Sequence, residues 1–243
     1  MASKTEVAHR VVSIPARPEP VKIDAATTAA IVVDMQNDFC SRGGMFDRAG
    51  IDISAARSAL QPTARTLACL RSAGIDIIYL KMGYRPDLSD FGAPDAPNRI
   101  KQLPLSVGAT ITAPDGRQSR ILIRDTWNTD IVDELQPQAD DLVIYKTRYS
   151  GFYQTELDAI LKSHGVKALI IVGVSTSVCV ESTLRDAMYR DYRCVLVSDC
   201  VAEPLGRKLP RTNQDASLLV IQVLFGWVTD SSEIIQALSA HET

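Results

Sequence analysis

The chain has 243 residues, 46% of them hydrophobic and 23% charged, with a formal net charge of −3 at pH 7. That length fits one large α/β domain or two small ones, and the composition can bury a packed core. The near-neutral, mixed charge excludes the basic surface that nucleic acid or an anionic membrane requires, and no uncharged run reaches the ~20 residues of a spanning helix.

Residues 1–22 carry Pro15, Pro18 and Pro20 among scattered charges. They read as an extended arm lying on the surface or on a partner subunit, with residues 23–243 as a single domain. The start of the chain has Lys4, Glu6 and Arg10 and no apolar core, so it does not read as a signal peptide. Ala29 to Val33 is a continuous apolar run ending in Asp34, the pattern of a buried parallel strand. Ser54 is placed to cap a helix running to about Ser72, which Gly74 ends. Ile75 to Leu80 predicts the next strand. Gly83 to Trp127 then holds five prolines, Pro86, Pro94, Pro97, Pro104 and Pro114, and reads as a long functional loop, a lid or an interface element.

A short helix is expected near Asp130–Leu135, and a strand over Leu142–Tyr145 ending at Lys146. A helix over Thr155–Ser163 follows, stopped by Gly165. Ala168 to Val172 is another apolar run. It breaks at Gly173, passes through a small polar turn and delivers Cys179 into the first turn of a helix with Val180, Leu184, Ala187 and Met188 on its apolar stripe. A strand at Cys194–Val197, a helix from about Thr212 to Val223, a strand at Trp227–Thr229 and a helix capped by Ser231 complete the chain. Strands alternating with helices predict a doubly wound parallel sheet.

In such sheets ligands bind beyond the carboxyl ends of the strands. Asp34, Lys146 and Cys179 fall at three of those ends. A free thiol has a pKa near 8.5, and ionising it at neutral pH takes about 2.7 kcal/mol. A helix N-terminus supplies only about 0.3–1 kcal/mol, whereas a lysine ammonium at about 4 Å offers up to ~4 kcal/mol before desolvation. Lys146 is therefore the expected stabiliser of a Cys179 thiolate, and Asp34 the expected anchor of Lys146 and proton carrier. The five cysteines include no C-x-x-C pair, so free thiols in a reducing cytoplasm are expected. Cys40, Cys69, Cys194 and Cys200 read as ordinary thiols, with Cys40 close enough to the Asp34 turn to line a pocket.

Asp34-Met35-Gln36-Asn37-Asp38-Phe39, Lys146 within Tyr145-Lys146-Thr147-Arg148-Tyr149-Ser150-Gly151-Phe152, and Gly173-Val174-Ser175-Thr176-Ser177-Val178-Cys179-Val180 resemble the motifs of the isochorismatase-like cysteine hydrolases over nearly the whole chain. The resemblance implies six parallel strands and a triad of Asp34, Lys146 and Cys179. It also implies a cis peptide between Val174 and Ser175, an oxyanion hole from the backbone N–H groups of Ser175 and Cys179, and a homodimer or homotetramer. Nicotinamidases of this family carry an Asp-x-His metal site after the second strand. This chain reads Lys81-Met82-Gly83-Tyr84-Arg85-Pro86-Asp87 there, and His9, His164 and His241 lie outside every motif, so no metal and no other cofactor is expected.

Arg148 to Phe152, Cys179 to Asp186 and Phe225-Gly226-Trp227-Val228 are similar to ureidoacrylate amidohydrolases. Asp38-Phe39-Cys40, Gly43-Gly44 and Arg85 to Leu88 are closer to biuret hydrolases, and triuret hydrolases are similar to both. The expected activity is thus a metal-independent cysteine amidohydrolase that cleaves a C–N bond of a small ureido or carbamoyl compound and releases ammonia through an acyl-enzyme. Phe39, Tyr84, Tyr149 and Gln222 are the expected substrate-binding residues. The alternatives are an N-carbamoyl amino acid amidohydrolase, with Arg85, Arg99 or Arg148 to hold the carboxylate, and a non-catalytic binding protein on the same fold.

Overall fold

Continuous apolar runs mark strands buried on both faces. In the computed structural model, which describes residues 9–205 and 212–239, those runs lie side by side in one sheet. In chain order the elements are the hairpin β1 (Val11–Ile14) and β2 (Val21–Asp24); β3 (Thr28–Val33); two short helices, α1 (Asn37–Cys40) and α2 (Met45–Arg48); the long helix α3 (Ser54–Ser72); β4 (Asp76–Met82); α4 (Pro97–Gln102); the hairpin β5 (Thr110–Thr112) and β6 (Gln118–Arg120); β7 (Leu142–Lys146); α5 (Leu157–Ser163); β8 (Ala168–Val174); α6 (Glu181–Met188); β9 (Arg193–Ala202); α7 (Asn213–Val220); β10 (Trp227–Thr229); and α8 (Ser231–Ser239). The central sheet has six strands in the order β10-β9-β8-β3-β4-β7, and every pairing in it is parallel.

The core lies on both faces of this sheet. Along β3, Ala30 and Val32 point into one layer with Leu60, Leu67 and Leu70 of α3 and Ile234 of α8. Ala29, Ile31 and Val33 point into the other, with Leu157 of α5 and Leu184 of α6. Successive side chains leave a strand on opposite faces, so one unbroken apolar run feeds two cores. Burying each such Val, Ile or Leu contributes roughly 1.5–3 kcal/mol. Among the described residues no helix is long and apolar enough to cross a membrane.

The structure corrects the expected arm. Residues 11–24 form an antiparallel hairpin whose Val12, Ile14, Val21 and Ile23 are buried, and the expected boundary at residue 22 falls inside β2. The Arg17 and Val228 backbones exchange both hydrogen bonds, at 2.8 and 3.0 Å, which joins the hairpin to β10. The prolines had masked a period-2 alternation that needs a core to bury it. Residues 1–8 lie outside the described residues.

Two helix caps also differ. Ser54 is already helical, and its N–H donates to Asp52. Asp230, not Ser231, accepts from the N–H of Glu233 at the start of α8. The Gly83–Trp127 segment is not one loop. It contains α4, β5 and β6, whose tight turns satisfy its backbone locally. The short helix expected near Asp130–Leu135 is a 3₁₀ turn at Asp133–Leu135, preceded by another at Trp127–Thr129.

Candidate active site

Backbone geometry at the carboxyl edge builds the site. Asp34, the residue after β3, adopts a positive φ of 53°, and its N–H donates to the Leu80 carbonyl at 2.9 Å. The Gln36 side chain then pairs with both backbone groups of Met82, donating to its carbonyl at 2.9 Å and accepting from its N–H at 2.8 Å. This clamp ties the turn after β3 to the end of β4. Gly173, with φ 137°, lies beside it, and a Cβ there would sit 2.2 Å from the Val33 carbonyl oxygen, so only glycine lets β8 end this close to Asp34.

Lys146 is the last residue of β7, two strands from β3, and its long stem reaches back past Met82. Its Nζ donates to Asp34 Oδ2 at 2.7 Å and to the Arg148 carbonyl at 3.2 Å, and lies 3.7 Å from Met82 Sδ. Asp34 is 0% exposed, Lys146 1% and Cys179 7%, so the pair is shielded from solvent and the thiol meets only the cavity. The thiol interacts with both partners. Asp34 Oδ1 is buried and makes no conventional hydrogen bond, and the Cys179 thiol and the Met82 N–H both act on this carboxylate. The three strand-end residues predicted from sequence therefore meet.

Cys179 sits in a π-helical turn, Thr176–Val180, that runs directly into α6. Such turns recur at functional sites because the wider helix re-aims one side chain. The Val174–Ser175 peptide is cis. The Ser175 carbonyl accepts from Val178 and Val180, the two neighbours of Cys179, at 3.1 and 3.2 Å. Thr183 Oγ1 donates to the Cys179 carbonyl at 2.7 Å and accepts from the Gly151 N–H at 3.0 Å, tying the nucleophile turn to the loop after Lys146. Buried Glu203 accepts from the Ser177 N–H at 2.7 Å and from the Leu205 N–H at 2.8 Å. None of Gln36, Thr183 and Glu203 was singled out for the site in the sequence. Gln36 and Thr183 lie within quoted motifs, and Glu203 carries no local signal.

The electrostatics differ from the expected thiolate. Burial pushes the Cys179 thiol well above its ordinary value; Lys146 opposes this and Asp34 adds to it. Burial also raises the Asp34 carboxyl, against the pull of Lys146 and the thiol. Burial works against the Lys146 charge, but Asp34 and Cys179 hold its ammonium above the usual lysine value. The lysine stays cationic, the aspartate is a stronger base than a free carboxylate, and the resting thiol is neutral. Desolvation of the thiol outweighs the attraction of the single Lys146 ammonium. Peptide-resolved iodoacetamide labelling of Cys179 is expected to be slow at pH 6 and to accelerate steadily toward pH 9. Rapid labelling with a plateau at mildly acidic pH would show a resting thiolate instead.

Cys179 opens into a cavity of about 280 Å³ whose walls include Phe39, Met45, Met82, Leu122, Tyr149 and Ser175. Lys101, Gln102 and Leu105 of α4 and the turn after it close another side, which is what the long proline-rich segment does. Of the four residues expected to bind substrate, Phe39 and Tyr149 line the cavity, and Tyr84 and Gln222 do not. Tyr84 is fully buried behind the wall, donating to Gln102 Oε1 at 2.9 Å and accepting from Asn98 at 3.1 Å. It orients Gln102, the amide that reaches the cavity. Gln222 lies in a turn beyond α7, and the glutamine that meets the nucleophile turn is Gln214, whose Oε1 accepts from Thr176 at 2.6 Å. Placing a residue along a helix from local sequence alone leaves its distance from the nucleophile undetermined. Cys40 is buried against Met35 and does not line the cavity. A wider surface groove of about 730 Å³ near Lys81, Arg117 and Asp130 contains no triad residue. Among the described residues no three His, Cys, Asp or Glu side chains cluster to hold a metal ion.

A doubly wound parallel sheet with a buried Asp–Lys pair and a cysteine at its carboxyl edge is the arrangement of the isochorismatase-like hydrolases. Residues 28–233 match the Isochorismatase domain family, and the chain belongs to it. It is 40% identical over 234 residues to the ureidoacrylate amidohydrolase RutB of Methylorubrum extorquens, covering 96% of this chain and 92% of that one. It is 39% identical over 227 residues to RutB of Agrobacterium fabrum, covering 93% and 96%. Among solved structures, a cysteine hydrolase from Pseudomonas syringae superposes with TM-score 0.75 at 30% identity over 99% of both chains. The N-carbamoylsarcosine amidase of Thermoplasma acidophilum gives TM-score 0.60 at 27% identity, covering 84% of this chain and 96% of that one.

Proposed function

We propose that the protein is a cysteine amidohydrolase that removes ammonia from a small ureido or carbamoyl compound, with Asp34, Lys146 and Cys179 as its catalytic residues. The observation that carries this reading is the buried Asp34–Lys146 ion pair beside Cys179, whose thiol acts on both and opens into a small, mostly apolar cavity. Substrate fills the cavity and excludes water, and the Cys179 proton passes to Asp34 as the sulfur attacks the terminal carbonyl carbon. The N–H groups of Ser175 and Cys179 receive the resulting oxyanion; losing one such donor typically costs about 2.7–4 kcal/mol. Asp34 returns the proton to the leaving nitrogen, and ammonia departs as the C–N bond breaks. Lys146 remains charged throughout and balances whichever of Asp34 and the sulfur is anionic. Water activated by Asp34 then hydrolyses the thioester and regenerates the thiol.

The names of the relatives support a ureide, and ammonia release from biuret, triuret and ureidoacrylate tests the reading directly. No release from any of the three overturns it. Among the described residues Lys101 is the one cation on the cavity wall. Arg99 donates to the Gly92 carbonyl, Arg148 to those of Asp90 and Thr147, and Arg85 does not reach the cavity, so none of the three arginines expected for a carboxylated substrate is placed to serve one. Lys101→Met is expected to weaken turnover of a carboxylated ureide about tenfold, the worth of one exposed charge pair at ~1 kcal/mol or slightly more. Turnover of biuret should be unchanged. Equal effects on both substrates would remove Lys101 as a selector. The five free thiols suit a reducing cytoplasm, and the family resemblance favours a homodimer or homotetramer.

A further inference from the structure

Asp38 is 0% exposed and four residues from Asp34, yet it takes no part in the triad. Its carboxylate gathers three donors from separate parts of the chain. Oδ1 accepts from the Met45 N–H at 2.9 Å and from Asn128 Nδ2 at 2.5 Å, and Oδ2 accepts from the Leu122 N–H at 2.7 Å. The Asn128 amide is oriented for this, because Ser119 Oγ lies 2.5 Å from its Oδ1. Met45 and Leu122 both line the cavity, as does Phe39, the neighbour of Asp38. One buried anion thus holds together α1, the start of α2 and the segment after β6, which form one wall of the substrate cavity. We propose that Asp38 is a positioning residue whose carboxylate form keeps that wall assembled and so sets affinity for substrate.

Among the described residues no cation compensates this charge. The groups acting on it are neutral, namely the Asn128 amide and the N–H groups of Leu122 and Met45. The charged residues on the neighbouring elements turn elsewhere. Asp47 accepts from Gly43, Arg120 donates to the Gly108 and Pro86 carbonyls, Arg124 pairs with Asp90, Arg117 pairs with Asp115 and Asp130, and Arg48 is exposed. Burial accordingly pushes the Asp38 carboxyl up to about 7. The three donors take three of the carboxylate's roughly four acceptor sites, and a proton on the fourth removes the charge that strengthens all three bonds. Acid therefore loosens the wall, and neutral to basic pH tightens it.

The kinetic arm of the test rests on the amidohydrolase reading, while the exchange arm does not. With a neutral ureide, wild-type KM is expected to rise about tenfold from pH 8 to pH 6 if binding requires the charged form. In Asp38→Asn, KM should already be high at pH 8 and flat across that range, with kcat keeping its wild-type pH profile. In parallel, hydrogen-exchange protection of the Met45 and Leu122 amides in the wild-type protein should fall as pH drops through 7, after correction for intrinsic exchange. That measurement decides the matter even if the variant does not fold or no substrate is turned over. A wild-type pH dependence of KM in Asp38→Asn, or pH-independent protection of both amides, overturns the proposal.

Discussion

Cys179→Ala is expected to lower ammonia release by a factor of roughly 10⁴ or more while the protein stays folded. In nucleophilic hydrolases, loss of the nucleophile alone removes most of the catalysed rate, because no other group in the cavity forms the acyl intermediate. The resting thiol is neutral and makes no ion pair with a full charge of its own, so its removal should shift stability by only about 1 kcal/mol. Urea unfolding beside an ammonia assay separates the two effects. A variant that keeps more than a hundredth of the rate would mean that Cys179 is not the nucleophile, and the triad assignment would fail with it.

Lys146→Met is expected to lose both activity and about 3–5 kcal/mol of stability at pH 7, the usual consequence of stranding one member of a buried ion pair. Asp34 would then lie buried with no counter-charge, since Lys146 is its ion-pair partner at 2.7 Å and both side chains are 0% exposed. Its folded pKa, already raised by burial, would rise further. The folded variant would therefore bind a proton more readily than the unfolded chain. The deficit should be small below the ordinary carboxylate pKa and grow as pH rises through the raised folded value. Unfolding the variant at pH 5 and pH 8 should show the larger loss at pH 8. The charge-neutral double variant Asp34→Asn/Lys146→Met should regain most of the stability and none of the activity. Equal losses in single and double variants would mean that packing of the lysine stem, not charge, accounts for the effect.

These two outcomes separate the roles within the site. On the proposed mechanism Cys179 contributes chemistry and little to the fold, whereas the Asp34–Lys146 pair contributes chemistry at a standing electrostatic cost. Surrounding contacts offset that cost by fixing the geometry. Gln36 locks the β3 turn to Met82, Thr183 ties the Cys179 carbonyl to Gly151, and Glu203 holds the Ser177 amide. Gly151 belongs to the same construction, since a Cβ there would lie 2.3 Å from Leu80 Cδ1 in the strand that Asp34 leans on.

The six strands of the central sheet, helices α3 and α5 to α8, the parallel class of the sheet and the three reactive strand-end residues could be read directly from residue order. A run such as Ala29–Val33 carries its own period, and a strand end carries its own break, so neighbours in the chain are enough to recognise them. The buried hairpin at residues 11–24 escaped notice because its alternation is interrupted by prolines and becomes meaningful only when Val12 and Ile23 find a core. Tyr84 and Gln222 were misplaced for a related reason. Whether an aromatic or an amide faces the cavity depends on how a helix or wall packs, and packing joins residues far apart in the chain. Asp38 is the clearest case, since its partners Leu122 and Asn128 lie 84 and 90 residues away. Proton affinity follows the same rule. Identity alone assigns Cys179 an ordinary thiol and Asp34 an ordinary carboxyl, and only the folded chain withholds the solvent that keeps them so.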